Sequence, residues 1–126
     1  MKILVALVML TGCAMADTRV DRTVEKLAVR LHYDSQATAK LREVLQKFAP
    51  KIEPLRADAH VLAQQLRALL AKGDASHSVL RRITERLASD RAQIRTLSDQ
   101  RMAELKSKLN PEQYAELVVY RRNRRR

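Results

Sequence analysis

Cysteine, glycine, proline and aromatic residues are all scarce in this chain of 126 residues. It contains one Cys, two Gly, three Pro, three Tyr, one Phe and no Trp. The single cysteine, Cys13, excludes an intrachain disulfide, and two glycines are too few for a glycine-rich phosphate-binding loop. This scarcity, together with abundant Leu, Ala and Arg, favours an all-helical protein with an aliphatic core.

Sets of residues that carry catalysis are also missing from the sequence. It has no Ser/His/Asp or Cys/His set, and its carboxylates alternate with arginines, as in Glu85/Arg86 and Asp90/Arg91. Such alternation along a helix is typical of a solvated surface. We therefore predict that the protein is not an enzyme and uses no cofactor.

The apolar run at the start of the chain, residues 3–10, is shorter than the roughly 20 residues that a membrane-spanning helix needs. It follows the basic start Met1-Lys2, and together they predict a signal peptide over residues 1–16. Ala14-Met15-Ala16 fits ordinary signal peptidase, whereas Leu10-Thr11-Gly12-Cys13 fits a bacterial lipobox. We favour the lipobox, in which Cys13 carries the lipid. Either cleavage predicts a periplasmic protein, free or membrane-anchored, and argues against nucleic acid as a partner.

Apolar residues between positions 41 and 69 repeat with alternating spacings of four and three. The nine positions are Leu41, Leu45, Phe48, Ile52, Leu55, Ala59, Leu62, Leu66 and Leu69. This heptad spacing predicts a helix with one apolar seam over residues 35–72. Pro50 and Pro54 predict a kink near residues 46–53, but the seam keeps its phase, so we predict one long bent helix.

Three more amphipathic segments complete a predicted all-α protein of four helices. Short helices are expected over residues 18–31 and from residue 110, and a long one over residues 76–109. Asp34 and either Asp74 or Ser76 are the predicted N-caps of the two long helices. Gly73 ends the first of these, and a connection this short makes them antiparallel neighbours in a bent hairpin.

One apolar flank of this hairpin is not covered in the predicted arrangement. It consists of Val44, Val61, Leu70 and Val79. A thin hairpin that exposes such a flank tends to bury it against a second copy, most often with two-fold symmetry. The sequence therefore predicts a homodimer.

The fourth helix begins with Leu109-Asn110-Pro111-Glu112-Gln113. Asn110 is the predicted N-cap, Pro111 takes the first helical position, and Gln113 can bond back to the Asn110 backbone. This motif and the order of helices resemble the Spy/CpxP family of periplasmic LTxxQ-motif proteins, which includes a heavy-metal sensor and resistance branch. The first such motif is degraded here, because residues 31–36 hold one residue too many between Leu and Gln.

The resemblance implies a Spy/CpxP-like domain over residues 17–120 that forms a cradle-shaped dimer. Its implied function is that of an ATP-independent envelope chaperone or stress-response protein, which holds unfolded or misfolded envelope proteins. A sensor kinase or another envelope signalling protein is an implied partner. The alternative function is that of a periplasmic heavy-metal sensor or metal-binding resistance protein of the same fold.

Positive charge is the main feature of the predicted surface. The chain has 25 Lys and Arg against 14 Asp and Glu, a formal charge of +11. The arginines of the third helix are the predicted client-binding residues: Arg81, Arg82, Arg86, Arg91, Arg95 and Arg101. Their apolar stems can pack on a client while the guanidinium pairs with its acidic groups. The tail, residues 121–126, has three interpretations: a solubilising segment, an anchor for anionic lipid or lipopolysaccharide phosphate, or a contact for acidic clients.

Three histidines are the weak metal candidates, namely His32, His60 and His77. No two of them lie three or four residues apart, the spacing that places two ligands on one helix face. We therefore predict that all three are surface histidines and that they form no metal site.

Overall fold

The computed structural model describes residues 18–124, which fold into four helices joined by short connections. Helix α1 spans residues 18–31, α2 spans Ser35–Lys72, α3 spans His77–Lys108 and α4 spans Pro111–Arg124. No strand occurs within this range, and the predicted all-α class with two long middle helices is confirmed. None of these helices is long and apolar enough to cross a membrane.

Side-chain caps fix where the two long helices begin. The Asp34 carboxylate accepts a hydrogen bond of 2.7 Å from the backbone N–H of Ala37 at the start of α2. The Ser76 hydroxyl accepts one of 3.3 Å from the N–H of Val79 at the start of α3. Each cap satisfies a backbone donor that has no partner in the first helical turn. Asp34 is confirmed, and of the two candidates for α3 the structure selects Ser76 over Asp74.

Two helices end on residues with left-handed backbone conformation. Gly73 has a φ of 73°, and its N–H donates to the Leu69 carbonyl at the end of α2. His32 follows α1 with a φ of 53°, and the N–H of Tyr33 donates to the Ala28 carbonyl at 3.0 Å. This bond runs from an N–H to the carbonyl five residues earlier, which defines a Schellman motif. His32 occupies the position that glycine usually holds in this motif. A residue with a side chain is strained at such a φ, so His32 makes this turn less stable than glycine would.

Helix α2 runs without interruption through Pro50 and Pro54, as predicted from its seam. All nine seam positions are buried or half-buried. The described residues nevertheless divide into two compact units. We call residues 18–50 and 100–124 the terminal unit, and Lys51–Asp99 the central unit.

The terminal unit contains α1, the first part of α2, the end of α3 and α4. Its buried apolar residues are Val20, Val24, Ala37, Leu41, Val44, Phe48, Leu105, Leu109 and Leu117. Arg42 on α2 lies 3.3 Å from Asp21 on α1, and Lys108 on α3 lies 2.7 Å from Glu43 on α2. The helices of this unit therefore enclose a shared core.

The central unit consists of the rest of α2 and α3, which run antiparallel. Its core cluster holds Leu62, Ile83 and Leu87. The partly buried side chains packed against this cluster are Ala59, Ala63, Leu66, Leu69 and Val79. With only two helices, this unit buries three side chains of the cluster and leaves the other five partly exposed.

The predicted uncovered flank is wrong at two of its four positions. Val44 is fully buried in the terminal unit, where α1 lies beside α2 and adds Val20 and Val24 to the core. Val79 packs against the central cluster. Only Val61 and Leu70 of the flank remain exposed, with 48% and 61% of their surface accessible.

Candidate functional site

Five of the six predicted client-binding arginines lie in the central unit, and all five are exposed. Arg86 is the one with an ion-pair partner: its Nη2 lies 3.4 Å from Oδ1 of Asp58 on α2. The guanidinium groups of the other four form no ion pair within residues 18–124; they are Arg81, Arg82, Arg91 and Arg95. These four charges are available to a partner.

The arginines occupy two sides of α3. At 3.6 residues per turn, Arg81, Arg91 and Arg95 fall within a sector of about 80°. Arg82 lies one turn before Arg86, on the side where Arg86 meets Asp58. We call Arg81, Arg91 and Arg95 the basic flank. In this part of the predicted site the arginines share one sector of the helix, and none of them forms an ion pair within residues 18–124.

The sixth predicted arginine, Arg101, belongs to the terminal unit. It is half-buried and interacts with other groups of the protein. The sequence placed it with the others because α3 is one helix, and the division into two units was not visible in the helical periodicity. Arg101 is therefore not included in the basic flank.

The capping motif closes as a reciprocal pair of hydrogen bonds. The Asn110 side-chain oxygen accepts from the Gln113 N–H at 2.7 Å, and the Gln113 side-chain oxygen accepts from the Asn110 N–H at 3.1 Å. Leu109 is buried beside this pair, whereas Pro111 and Glu112 are exposed. The predicted N-cap at Asn110 and the return bond from Gln113 are confirmed, and together they form the capping box of a helix start.

Tyr33 connects the turn after α1 to this motif. Its hydroxyl donates a 2.6 Å hydrogen bond to the backbone carbonyl of Gln113. Burial, with a smaller contribution from the charge of Glu116, raises the pKa of Tyr33 to about 12. The hydroxyl therefore keeps its proton and this bond across the physiological pH range. The sequence offered no signal for this contact, because the two residues are 80 positions apart.

Replacing Asn110 by Ala should lower the free energy of unfolding by about 1 kcal/mol, since one helical donor loses its side-chain acceptor. Urea unfolding followed by circular dichroism measures this. Asn123→Ala is the matched control, because Asn123 is exposed in the last turn of the same helix. Equal losses in the two variants would contradict a capping role for Asn110.

An open groove of about 740 Å³ lies in the terminal unit between the turn after α1 and one side of α4. Its lining is Arg30, Leu31, His32, Tyr33, Asn110, Glu112, Gln113, Ala115, Glu116, Val119, Tyr120 and Asn123. Both acidic and basic side chains are present, with apolar patches from Leu31 and Val119. The groove can therefore contact charged groups of either sign as well as apolar groups.

The three candidate histidines are all exposed. His32 lines the groove, whereas His60 lies in the middle of α2 and His77 begins α3. Within residues 18–124, no three His, Cys, Asp or Glu side chains lie together in a set that could hold a metal ion.

Two further predictions concern the ends of the chain. Cys13, the predicted lipidation site, lies outside the described residues, as does the predicted leader. Helix α4 continues to Arg124, so the first four residues of the predicted tail, 121–124, are helical. Arg122 and Arg124 are exposed in this last turn, where positive charge also favours the helix dipole.

Comparison of the chain with protein-family models, with curated proteins and with solved structures finds no match. The similarity to the Spy/CpxP family therefore stays a prediction, based on residues 109–113 and the order of helices.

Proposed function

We propose that the protein binds unfolded or misfolded proteins of the bacterial envelope without ATP, as a chaperone or stress-response protein. The basic flank carries this proposal: its three arginines lie within one sector of about 80° along α3 and form no ion pair within the described residues. The periplasmic location and the family remain part of the proposal.

The physical basis is that an unfolded client offers acidic groups and apolar side chains in no fixed geometry. An arginine can accept both, because its aliphatic stem packs on apolar surface while its guanidinium pairs with a carboxylate. The central unit also exposes Leu70 and Val61 on α2. Such a surface favours many weak contacts over one specific pocket.

A homodimer is retained in the proposal on a smaller apolar surface than the sequence suggested. Leu70 and Val61 are the members of the predicted flank that remain exposed. Apolar side chains in that position tend to be covered by a second copy with two-fold symmetry. Sedimentation at micromolar concentration tests this part independently of client binding.

Changing Arg81, Arg91 and Arg95 together to Ser should weaken client protection roughly tenfold, if each exposed contact contributes about 0.5 kcal/mol. The measurement is the ratio of protein to denatured client that halves aggregation, without ATP. Protection by the parent protein should also fall with salt, because exposed charges are screened beyond about 8–10 Å at 0.1–0.15 M ionic strength.

A second triple variant, Arg22, Arg67 and Arg122 to Ser, removes the same charge from exposed positions elsewhere. It should protect clients nearly as well as the parent protein. Equal loss in both variants would show that only net charge matters, and no protection by the parent protein would refute the proposed function. Circular dichroism confirms that both variants keep their helices.

A further inference from the structure

A carboxylic acid lies in the helix–helix interface of the central unit. Asp90 occupies the apolar face of α3 and is only 8% exposed. Its Oδ2 atom is buried and has no hydrogen-bond partner within the described residues. A buried polar atom without a partner is costly, and an ionised carboxylate without one is more so.

The group that faces Asp90 from the neighbouring helix is another carboxylate. Asp58 of α2 reaches this face of α3, because its Oδ1 lies 3.4 Å from Nη2 of Arg86, one helical turn before Asp90. The Asp58 carboxylate raises the pKa of Asp90, and Arg86 acts on it in the opposite direction. Two carboxylates at close range cannot both ionise without repulsion, and one cation does not compensate both when one of them is buried.

We propose that Asp58 and Asp90 form a proton-binding site in which a proton on Asp90 bridges the two carboxylates and holds α2 and α3 of the central unit together. The proton turns the Asp90 carboxyl into a hydrogen-bond donor, and a carboxylate oxygen of Asp58 accepts the bond. This proposal does not depend on the proposed client binding.

A proton fits this site better than a metal ion. The site supplies two carboxylates, and no third His, Cys, Asp or Glu joins them within the described residues. The guanidinium of Arg86 beside Asp58 would also repel a cation. A proton needs only one donor position and one acceptor, which the pair provides.

The direction of the pH effect follows from the pKa of Asp90. The hydrogen bond with Asp58, then burial, then the charge of Asp58 raise this pKa, against a smaller opposite effect of Arg86. At a pH below the pKa that Asp90 has in the unfolded chain, Asp90 is protonated in the folded and the unfolded state. The hydrogen bond from Asp90 to Asp58 then contributes its full stabilisation to the folded state. As the pH rises through the higher pKa of the folded state, the proton and that stabilisation are lost.

The terminal unit contains a contact with the opposite response. Glu43 accepts a hydrogen bond from Lys108 at 2.7 Å, and this bond and the charge of Lys108 lower the pKa of Glu43. Its contribution is therefore lost as the pH falls through that lowered pKa. The effect is small because both side chains face water. Acidification thus favours the central unit and slightly disfavours the terminal unit.

The test compares the parent protein with Asp90→Asn between pH 4 and pH 8. Asn has nearly the same shape, and its amide can donate to Asp58 at every pH. The unfolding constant of the parent divided by that of Asp90→Asn should increase severalfold as the pH rises. Asp99→Asn, at an exposed position of α3, is the control for removing one carboxylate from this helix. An equal increase in its ratio would attribute the effect to lost charge and overturn the proposal.

Two further measurements keep the test decisive if a variant is unstable. Carbon-13 NMR of the side-chain carboxyl should show Asp90 titrating above the usual range near 3.9, and Asp58→Asn should move that midpoint down. Amide hydrogen exchange, corrected for its intrinsic pH dependence, should show protection in the central unit decreasing with rising pH. A normal Asp90 midpoint, or a constant ratio for Asp90→Asn, would overturn the proposal.

Discussion

Leu62→Ala should destabilise the protein by about 3 kcal/mol, within the range of 2–5 kcal/mol found when a buried leucine is truncated. Leu62 is 2% exposed, and it belongs to a core cluster of three buried residues. Two contributions add up in this loss: the hydrophobic free energy of burying the missing carbons and the cost of the cavity that they leave. With so few buried residues, the central unit has little other apolar surface to replace what is lost. Urea unfolding and amide exchange within the central unit measure the effect.

Leu70→Ala is the matched control for this prediction. Leu70 lies on the same helix, in the same unit, and has the same side chain, but 61% of it is exposed. A monomer should therefore change by less than about 0.5 kcal/mol. A loss for Leu70→Ala that grows with protein concentration would instead indicate that Leu70 lies in a dimer interface. Equal losses in the two variants at low concentration would contradict the core assigned here.

The seam of α2 and the helix caps could be predicted from sequence because they depend on neighbours within a few residues. Spacings of three and four place side chains on one helix face whatever the tertiary structure is. Likewise Asn110 and Gln113 can reach each other only when the helix starts between them. Local geometry determined these features, and they are the ones that the structure bears out.

The contacts between distant helices could not be predicted in the same way. The pair of Asp58 and Asp90 depends on the register of α2 against α3, and helical periodicity fixes the face of each residue but not that register. The alternation of Asp90 with Arg91 predicted a solvated position, which is wrong for Asp90 because it is only 8% exposed. Its spacing from Leu87 and Ile94, three and four residues, places it on the apolar face of α3. That spacing gives no sign that another carboxylate would face it. The same reason explains why Arg86 was grouped with arginines that form no ion pair in the described part of the chain.

Val44 shows how a short helix changes a prediction made from a long one. The heptad seam of α2 is narrow, and Val44 lies at its edge, which suggested exposure. Helix α1 adds its own buried Val20 and Val24 beside α2, so the buried face becomes wider than the seam. Periodicity within α2 contains no information about this additional helix.

Val44→Asp should therefore destabilise the protein by about 4 kcal/mol, the usual cost of a buried charge without a partner. Val44 has no exposed surface in the terminal unit. The loss should become smaller as the pH falls, because a protonated carboxylic acid is less costly to bury than a carboxylate. Thermal and urea unfolding at pH 7 and pH 4, followed by circular dichroism, measure both parts.

Val61→Asp provides the comparison, since it makes the same change on the same helix at a position that is 48% exposed. Its cost should stay below about 1 kcal/mol in a monomer, because a carboxylate at this position remains hydrated. If Val44 were instead part of an uncovered dimer flank, both variants would unfold with similar stability and would lose dimer to a similar extent. A large, concentration-independent loss for Val44→Asp alone would establish that α1 covers this side of α2 within one chain.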